Sequence, residues 1–265
     1  MIFYFYSLFF SCTTTTKDTS STTNTPTTEP TTEPSIEDSG NLHLIPFTGK
    51  VTYEDGTEVA NTNTRVQMCS EYCFPAILGS NGAFSFVGLE PGTYAFDVVP
   101  LGDQSENYAT PLDFITLTDN MESYSLDKPM KIPNFVVHQE LTQPELNVDN
   151  TLFISVDANT FTVREGFDSQ EYVAAALIPD DSGLILDGIE GEFHQGWYLG
   201  AFEAKVESWN VRVENLEPGL TLHAYNSSYD EKTWLSLGEA TVDENGIFTS
   251  PNGLKVLSGL ILMKN

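Results

Sequence analysis

Short stretches in which apolar and polar residues alternate run through most of the chain. Phe84 and Phe86 are separated by one small residue, and Tyr94, Phe96 and Val98 alternate in the same way. Successive side chains of a β-strand point to opposite faces, so this period of two predicts half-buried strands. Turn signals such as Asp-Gly and Asn-Gly separate the stretches, which favours antiparallel pairing. We predict an all-β fold with two tandem β-sandwich domains after a disordered Thr/Ser/Pro-rich N-terminal stalk.

Changes of composition divide the chain into five segments. They are a signal peptide with a lipidation motif (1–12), a disordered Thr-rich linker (13–40), a first β-sandwich (41–137), a polar linker (138–150) and a second β-sandwich (151–265). The 40% hydrophobic content is enough to build cores for two domains of this size.

The N-terminus is similar to the signal of a bacterial lipoprotein. Residues 2–10 are apolar, but a bilayer span needs about 20 residues, and the run ends at Ser11-Cys12. The resemblance implies that the Cys12 thiol carries a diacylglyceryl group and that Cys12 becomes the mature N-terminus. The alternative is an unmodified thiol behind a buried strand.

Two features of this signal depart from the family pattern. Phe9 stands where the family usually has Leu, and no Lys or Arg precedes the apolar run. We therefore expect the true start codon to lie upstream of Met1. The family rule that Asp after the lipidated cysteine retains a protein at the inner membrane is not met by Thr13. The expected location is thus the outer membrane or cell surface, with the membrane as partner through the lipid.

The stalk that follows contains many Thr residues and the direct repeat Thr27-Thr-Glu-Pro30 and Thr31-Thr-Glu-Pro34. Such a segment cannot bury enough apolar area to offset its ordering entropy. Its prolines favour an extended path of about 3.1 Å per residue, so we expect it to hold the domains off a membrane.

The first domain carries a specific string, Gly82-Ala-Phe-Ser-Phe-Val-Gly-Leu-Glu-Pro-Gly-Thr-Tyr94, preceded by Gly49-Lys-Val51 and Asp55-Gly56. Residues 44–137 resemble the carboxypeptidase regulatory-like domain, a transthyretin-like β-sandwich common in bacterial surface proteins. The resemblance implies a spacer, stabilising or adhesive role. It departs from the family at Glu58-Val-Ala-Asn61, where the family has Pro and small residues.

Cys69 and Cys73 lie in this first domain. In a regular strand they would be about 13 Å apart, too far for a disulfide, so pairing requires a turn at residues 70–72. An exported context favours a structural disulfide. The second alternative is two free thiols. The third is a metal site, which is the least favoured because zinc needs four ligands and two cysteines without a local His pair do not supply them.

In the second domain, Val211 to Gly219 repeats the spacing of Phe84 to Gly92, including Leu-Glu-Pro-Gly. The repeat indicates either shared ancestry or reuse of one turn. Aromatic residues of a β-sandwich belong more often to its core than to a ligand-binding surface. Tyr225 and Tyr229 flank a polar, loop-like stretch and are the candidate ligand aromatics.

The charge is strongly negative, with 11 Lys and Arg against 38 Asp and Glu and a net charge of −27. Such a surface repels phosphate, so no nucleic-acid partner is expected. Solubility in a salty exterior explains the acidic residues better than divalent-cation binding or contact with cationic partners does. Asp-rich turns lack the full spacing of a calcium loop, and the backbone preferences of turns explain them.

No catalytic motif, metal-ligand spacing or cofactor motif is present, so we predict no catalytic residues, no metal and no cofactor. The sequence favours a non-catalytic, monomeric surface lipoprotein with a structural, adhesive or assembly role, whose partner is a surface protein or a glycan. The alternative is a carbohydrate- or calcium-binding module, and after that a glycoside hydrolase with an acid pair.

Overall fold

The structure is a computed structural model that describes residues 43–165 and 171–265, and the regular structure of these residues is almost entirely β. The all-β prediction is therefore confirmed. The signal segment, Cys12 and the Thr-rich stalk lie outside the described residues. In chain order, the strands are β1 Ile45–Tyr53, β2 Thr64–Cys69, β3 Cys73–Pro75, β4 Ile77–Leu78, β5 Ala83–Leu89, β6 Gly92–Pro100, β7 Leu112–Leu117, β8 Tyr124–Ser125, β9 Met130–Ile132, β10 Val137–Glu140, β11 Glu145–Val148, β12 Leu152–Ser155, β13 Tyr172–Leu177, β14 Glu192–Gly200, β15 Ala204–Trp209, β16 Val211–Val213, β17 Thr221–Ser228, β18 Thr233–Thr241, β19 Phe248–Thr249, β20 Leu254–Leu257 and β21 Gly259–Lys264.

The first sandwich consists of two sheets. One has the order β4-β5-β1-β8, with β9 also paired to β1, and the other has the order β3-β2-β6-β7. Aromatic rings fill the space between them: Phe47 lies 5.3 Å from Phe84 and 5.3 Å from Phe96, ring centre to ring centre. Gly49 makes room for this packing, because a Cβ there would approach the Phe84 ring to 2.6 Å. The alternation of Phe84 and Phe86 thus places both rings in this core.

The second sandwich has a six-stranded sheet of order β10-β13-β14-β21-β17-β18 and a four-stranded sheet of order β11-β12-β16-β19, with β15 and β20 as a separate pair. Trp197 and Trp209, both buried, are the largest side chains of its core. The polar linker predicted at 138–150 is not what the structure shows, since this segment contributes β10 and β11. Leu146 and Val148 alternate with exposed residues there and pack into the core.

The four larger sheets stack as successive layers. The sheet containing β2, β6 and β7 turns one face to the first core and the other to the six-stranded sheet of the second sandwich. On β14 and β21 successive residues alternate between the two neighbouring cores: Trp197 faces the second core, and Tyr198 faces the first sandwich. Both middle sheets are therefore covered on both faces, and residues 41–265 form one compact unit.

The repeated Leu-Glu-Pro-Gly turns have the same structural role in the two sandwiches. Leu89–Gly92 leads from β5 to β6, and Leu216–Gly219 leads from β16 towards β17. In each case the strands before and after the turn belong to different sheets. The turn therefore carries the chain across a sandwich and does not close a hairpin.

Candidate functional site

A groove opens on the first sandwich between the β2–β3 hairpin and the Leu89–Gly92 turn, with a volume of about 470 Å³. We call it the Tyr72 groove. Its lining residues are Leu44, Ser70, Glu71, Tyr72, Phe74, Gly88, Leu89, Glu90, Pro91, Gly92, Thr93 and Tyr94.

The hairpin wall of the Tyr72 groove is cross-linked at its base. Cys69 and Cys73 are opposite each other in the β2–β3 ladder, with Cα atoms 4.0 Å apart, and their sulfur atoms are bonded. The three residues between them form the turn that such a bond requires, and Ser70 N donates a hydrogen bond to Tyr72 O at 3.0 Å. From the second sandwich, the Tyr229 hydroxyl donates to Cys73 Sγ at 3.0 Å.

The opposite wall is braced by Tyr94. Its hydroxyl donates to Glu90 O at 2.8 Å, and its ring is buried in the first core together with Leu89. Burial, with the nearby Glu90 carboxylate, raises the pKa of Tyr94. Leu44 packs over the wall at Gly88, where a Cβ would lie 3.0 Å from Leu44 Cβ. The disulfide and Tyr229 thus hold the hairpin wall, and contacts among its own residues hold the opposite wall.

The side chains inside the groove combine exposed apolar surface with acid. Tyr72 is 74% exposed, Leu44 50% and Phe74 45%. Glu71 and Glu90 lie on opposite walls, and among the residues that the structure describes no Lys, Arg or His lines the groove. This arrangement has the chemistry of a contact surface, because its groups can pack and accept hydrogen bonds.

Apart from the Tyr72 groove, a cluster of polar side chains centred on Asp97 lies between the two middle sheets. This β6 residue is 1% exposed, and its Oδ2 accepts from Gln67 Nε2 at 3.0 Å. Its Oδ1 has no hydrogen-bond partner among residues 43–165 and 171–265. Burial raises the pKa of Asp97 to about 7, although the hydrogen bond from Gln67 and the charges of Arg65 and Arg164 act in the opposite direction. The guanidinium of Arg164 in turn lies 4.1 Å from the ring centre of Tyr229.

Glu203 is the buried carboxyl on the second-sandwich side, at 2% exposure. Its Oε1 accepts from Tyr229 N at 3.1 Å, and burial raises its pKa to about 7. Asp113, on β7, is fully buried; its Oδ2 accepts from Ile185 N at 3.1 Å, and burial raises its pKa well above the usual range. All three buried carboxyl groups bind polar groups of neighbouring strands or loops.

Of the two candidate ligand aromatics, Tyr225 lies in β17 and Tyr229 directly after it. The stretch from Tyr225 to Ser228 is not a loop but part of β17, and Asn226, Ser227 and Ser228 are buried. Tyr225 stacks on His223 with ring centres 4.2 Å apart. Tyr229 contacts Arg164 and Cys73, and so belongs to the junction between the sandwiches.

The Asp-rich turns use their carboxylates within the protein. Asp55 Oδ1 accepts from Thr57 N at 2.8 Å, and Asp243 Oδ1 accepts from Asn245 N and Ile247 N at 2.9 Å. These backbone bonds lower the pKa of both carboxyl groups. In residues 43–165 and 171–265, no group of three or more His, Cys, Asp or Glu is placed to hold a metal ion. Nor does the described part of the chain contain a helix long and apolar enough to cross a bilayer.

Sequence reasoning did not identify the Tyr72 groove or the buried carboxyl groups. The signal for the groove was present: Tyr72 lies in a three-residue turn that is exposed whenever Cys69 and Cys73 are bonded. The buried carboxyl groups carry no such local signal, because acids on the outward face of a strand are ordinarily solvated.

Two solved structures are distantly similar to the chain. No family model matches the chain, so its resemblance to the carboxypeptidase regulatory-like domain stays a prediction. No curated protein matches it. A DUF3823 family protein from Bacteroides ovatus is similar at 12% identity, covering 84% of this chain and 97% of that one, with a TM-score of 0.25. The tetra-tandem repeat in the extending region of a large adhesion protein is similar at 11% identity, covering 80% and 66%, with a TM-score of 0.19. Neither likeness is close enough to support an argument about function.

Proposed function

We propose that the chain is a non-catalytic, lipid-anchored surface protein whose two sandwiches act as one rigid body in adhesion or surface assembly. The observation that carries this proposal is the continuous apolar core between the two middle sheets. A flexible joint would leave the sandwiches independent, whereas a buried apolar joint transmits force and orientation between them.

Several independent contacts support a rigid joint. The rings of Phe114 and Trp234, from different sandwiches, meet edge to face with centres 6.1 Å apart. Lys131 Nζ and Asp181 Oδ2 form an ion pair at 2.7 Å. The Asp113–Ile185 hydrogen bond ties β7 to the loop after β13.

The bonding of the buried acids supports a non-catalytic role. An acid-pair hydrolase needs two carboxyl groups that reach a substrate in an open cleft. Asp97 and Asp113 are instead at most 1% exposed and bind a side-chain amide and a backbone N–H group. Glu203 borders a cavity of about 490 Å³, but it is itself 2% exposed and accepts a hydrogen bond from Tyr229 N.

Mass spectrometry of the mature N-terminus tests the anchor. We expect a diacylglyceryl-modified Cys12 as the first residue, and Cys12→Ala should move the chain from the membrane fraction to the soluble fraction. Thr13→Ala is the matched control and should stay in the membrane fraction. A mature chain that begins elsewhere without lipid would overturn the anchored part of the proposal.

Deletion of the gene tests the role. Cells without the protein should attach less well or lose a surface assembly, and expression of the wild-type chain should restore the phenotype. Unchanged attachment and unchanged surface composition would contradict the proposal.

A further inference from the structure

We propose that the Tyr72 groove binds a basic, apolar peptide segment of a partner protein, with a Lys or Arg side chain over the Tyr72 ring and between Glu71 and Glu90. This inference rests on the proposed function, because it names the kind of partner that a contact surface of this protein would take.

The first argument is the clustering of exposed apolar surface. Single exposed apolar side chains are normal on proteins, but contiguous ones mark contact sites. Three of the large apolar side chains that are exposed in residues 43–165 and 171–265 line this one groove. The full set is Leu44, Tyr72, Phe74, Ile77, Val87, Val136 and Leu177.

The second argument is charge. The groove contains Glu71 and Glu90, and none of its described lining residues is basic. The whole chain has a net charge of −27. An anionic polymer, the acidic stalk of this chain or a second copy of it would each bring more negative charge to the site. A basic segment gains from the long-range field as well as from the two carboxylates.

The third argument is the pairing of an aromatic face with acids. A guanidinium or ammonium group is attracted to the face of a tyrosine ring, and hydrogen bonds to carboxylates are strengthened by charge. The chain already uses this contact at its joint, where Arg164 lies over Tyr229. The Tyr72 side chain is 74% exposed and is therefore open to the same contact.

The fourth argument is preorganisation. The Cys69–Cys73 bond and the Tyr229 hydroxyl hold one wall, and Tyr94 holds the other. Binding to a rigid groove loses less conformational entropy than binding to mobile loops. The volume of about 470 Å³ accommodates a few side chains and not a folded domain.

The test is a peptide array of random segments of about twelve residues, probed with the full chain carrying Cys12→Ser so that it stays soluble. We expect the bound peptides to be enriched in Lys or Arg next to aromatic or aliphatic residues. For the best peptide, Tyr72→Ala should weaken binding about tenfold, and the double variant Glu71→Gln/Glu90→Gln should weaken binding and flatten its dependence on salt.

Two variants control for location. Ile77→Ala removes an exposed apolar side chain outside the groove, and Glu122→Gln removes an exposed acid elsewhere on the same sandwich. Both should bind like the wild type. Thermal unfolding of every variant checks the fold, and the Glu71→Gln/Glu90→Gln variant keeps the test decisive if Tyr72→Ala unfolds.

Four results would overturn the inference: no peptide bound at about 1 mM, enrichment without basic residues, equal loss in the control variants, or binding of a neutral oligosaccharide that competes with the peptides. The last would make the groove a glycan site. None of these results affects the lipid anchor, and a missing anchor would leave the peptide measurements unchanged, so the two proposals fail separately.

Discussion

Replacing Asp97 with asparagine should change how the stability of the protein depends on pH. Asp97 has a folded-state pKa of about 7, raised from 3.8 mainly by burial. A carboxyl group whose pKa is raised by folding contributes stability that is fully present below the unfolded pKa and is lost as pH rises through the folded pKa. In the wild type, this loss should therefore occur between about pH 4 and pH 7.

The magnitude follows from the size of the shift. A difference of roughly three pKa units corresponds to about 4 kcal/mol over the whole range, at 1.36 kcal/mol per unit. Part of that stability is already lost by pH 5. The remaining loss between pH 5 and pH 8 should therefore be about 2–3 kcal/mol. The introduced asparagine is neutral at both values, and its amide oxygen can still accept the hydrogen bond from Gln67. The free energy of unfolding of Asp97→Asn relative to the wild type should thus rise by about 2–3 kcal/mol from pH 5 to pH 8.

Urea denaturation of both proteins at the two pH values measures this difference directly. Because other titrating groups are common to both proteins, their contributions cancel in the comparison unless they couple to Asp97 through Arg164. Asp103→Asn removes an exposed acid of the same sandwich and should show no comparable change between the two pH values. An equal effect of Asp97→Asn at pH 5 and pH 8 would refute the reasoning.

Three further predictions concern the fold. Trp234→Ala should cost about 3–5 kcal/mol and, because it removes the contact with Phe114 across the joint, should split one calorimetric unfolding transition into two; a single unshifted transition would contradict this. Gly82→Ala should destabilise the protein by more than the about 1–3 kcal/mol that a left-handed alanine costs, because its Cβ would lie 2.0 Å from Val51 O. Gly56→Ala has nothing within 4 Å of its Cβ and should show the conformational cost alone in thermal unfolding. Equal losses for the two variants would be inconsistent with the clash. Cys73→Ser opens a short loop, so chemical denaturation should show a loss of about 2 kcal/mol, and an unchanged midpoint would argue against the cross-link as a stabilising element.

The local pattern of the sequence was sufficient for the long strands and their turns in the first sandwich, but not for the short strands β3, β4 and β9. Phe84 and Phe86 are on the buried face of β5, as their alternation predicts. Gly82 has a positive φ of 75°, as the Asn-Gly turn requires. These features depend on neighbours within a few residues, because the period of a strand and the conformation of a turn are set locally.

The linker prediction at 138–150 illustrates the limit of local reasoning. Its acids and Pro144 are typical of an exposed connection, yet Leu146 and Val148 add a strand to the second sandwich. Two apolar residues in a polar stretch become a strand only when a neighbouring strand supplies the ladder, and here β12 does so. β12 follows β11 after a short turn, but β10, which begins the same segment, pairs with β13, where Glu140 lies opposite Tyr172. Strand pairing over such a distance is a tertiary property.

Alternation by itself determined that each strand has two different faces, and it assigned the larger residues to a core. Only the tertiary structure decided what covers the other face. Asp97 and Gln67 occupy positions that alternation leaves for solvent, yet the six-stranded sheet covers them, and the desolvation of Asp97 follows from that cover. The physical reason is that burial depends on which sheet packs against which, and a period-two pattern carries no information about that partner.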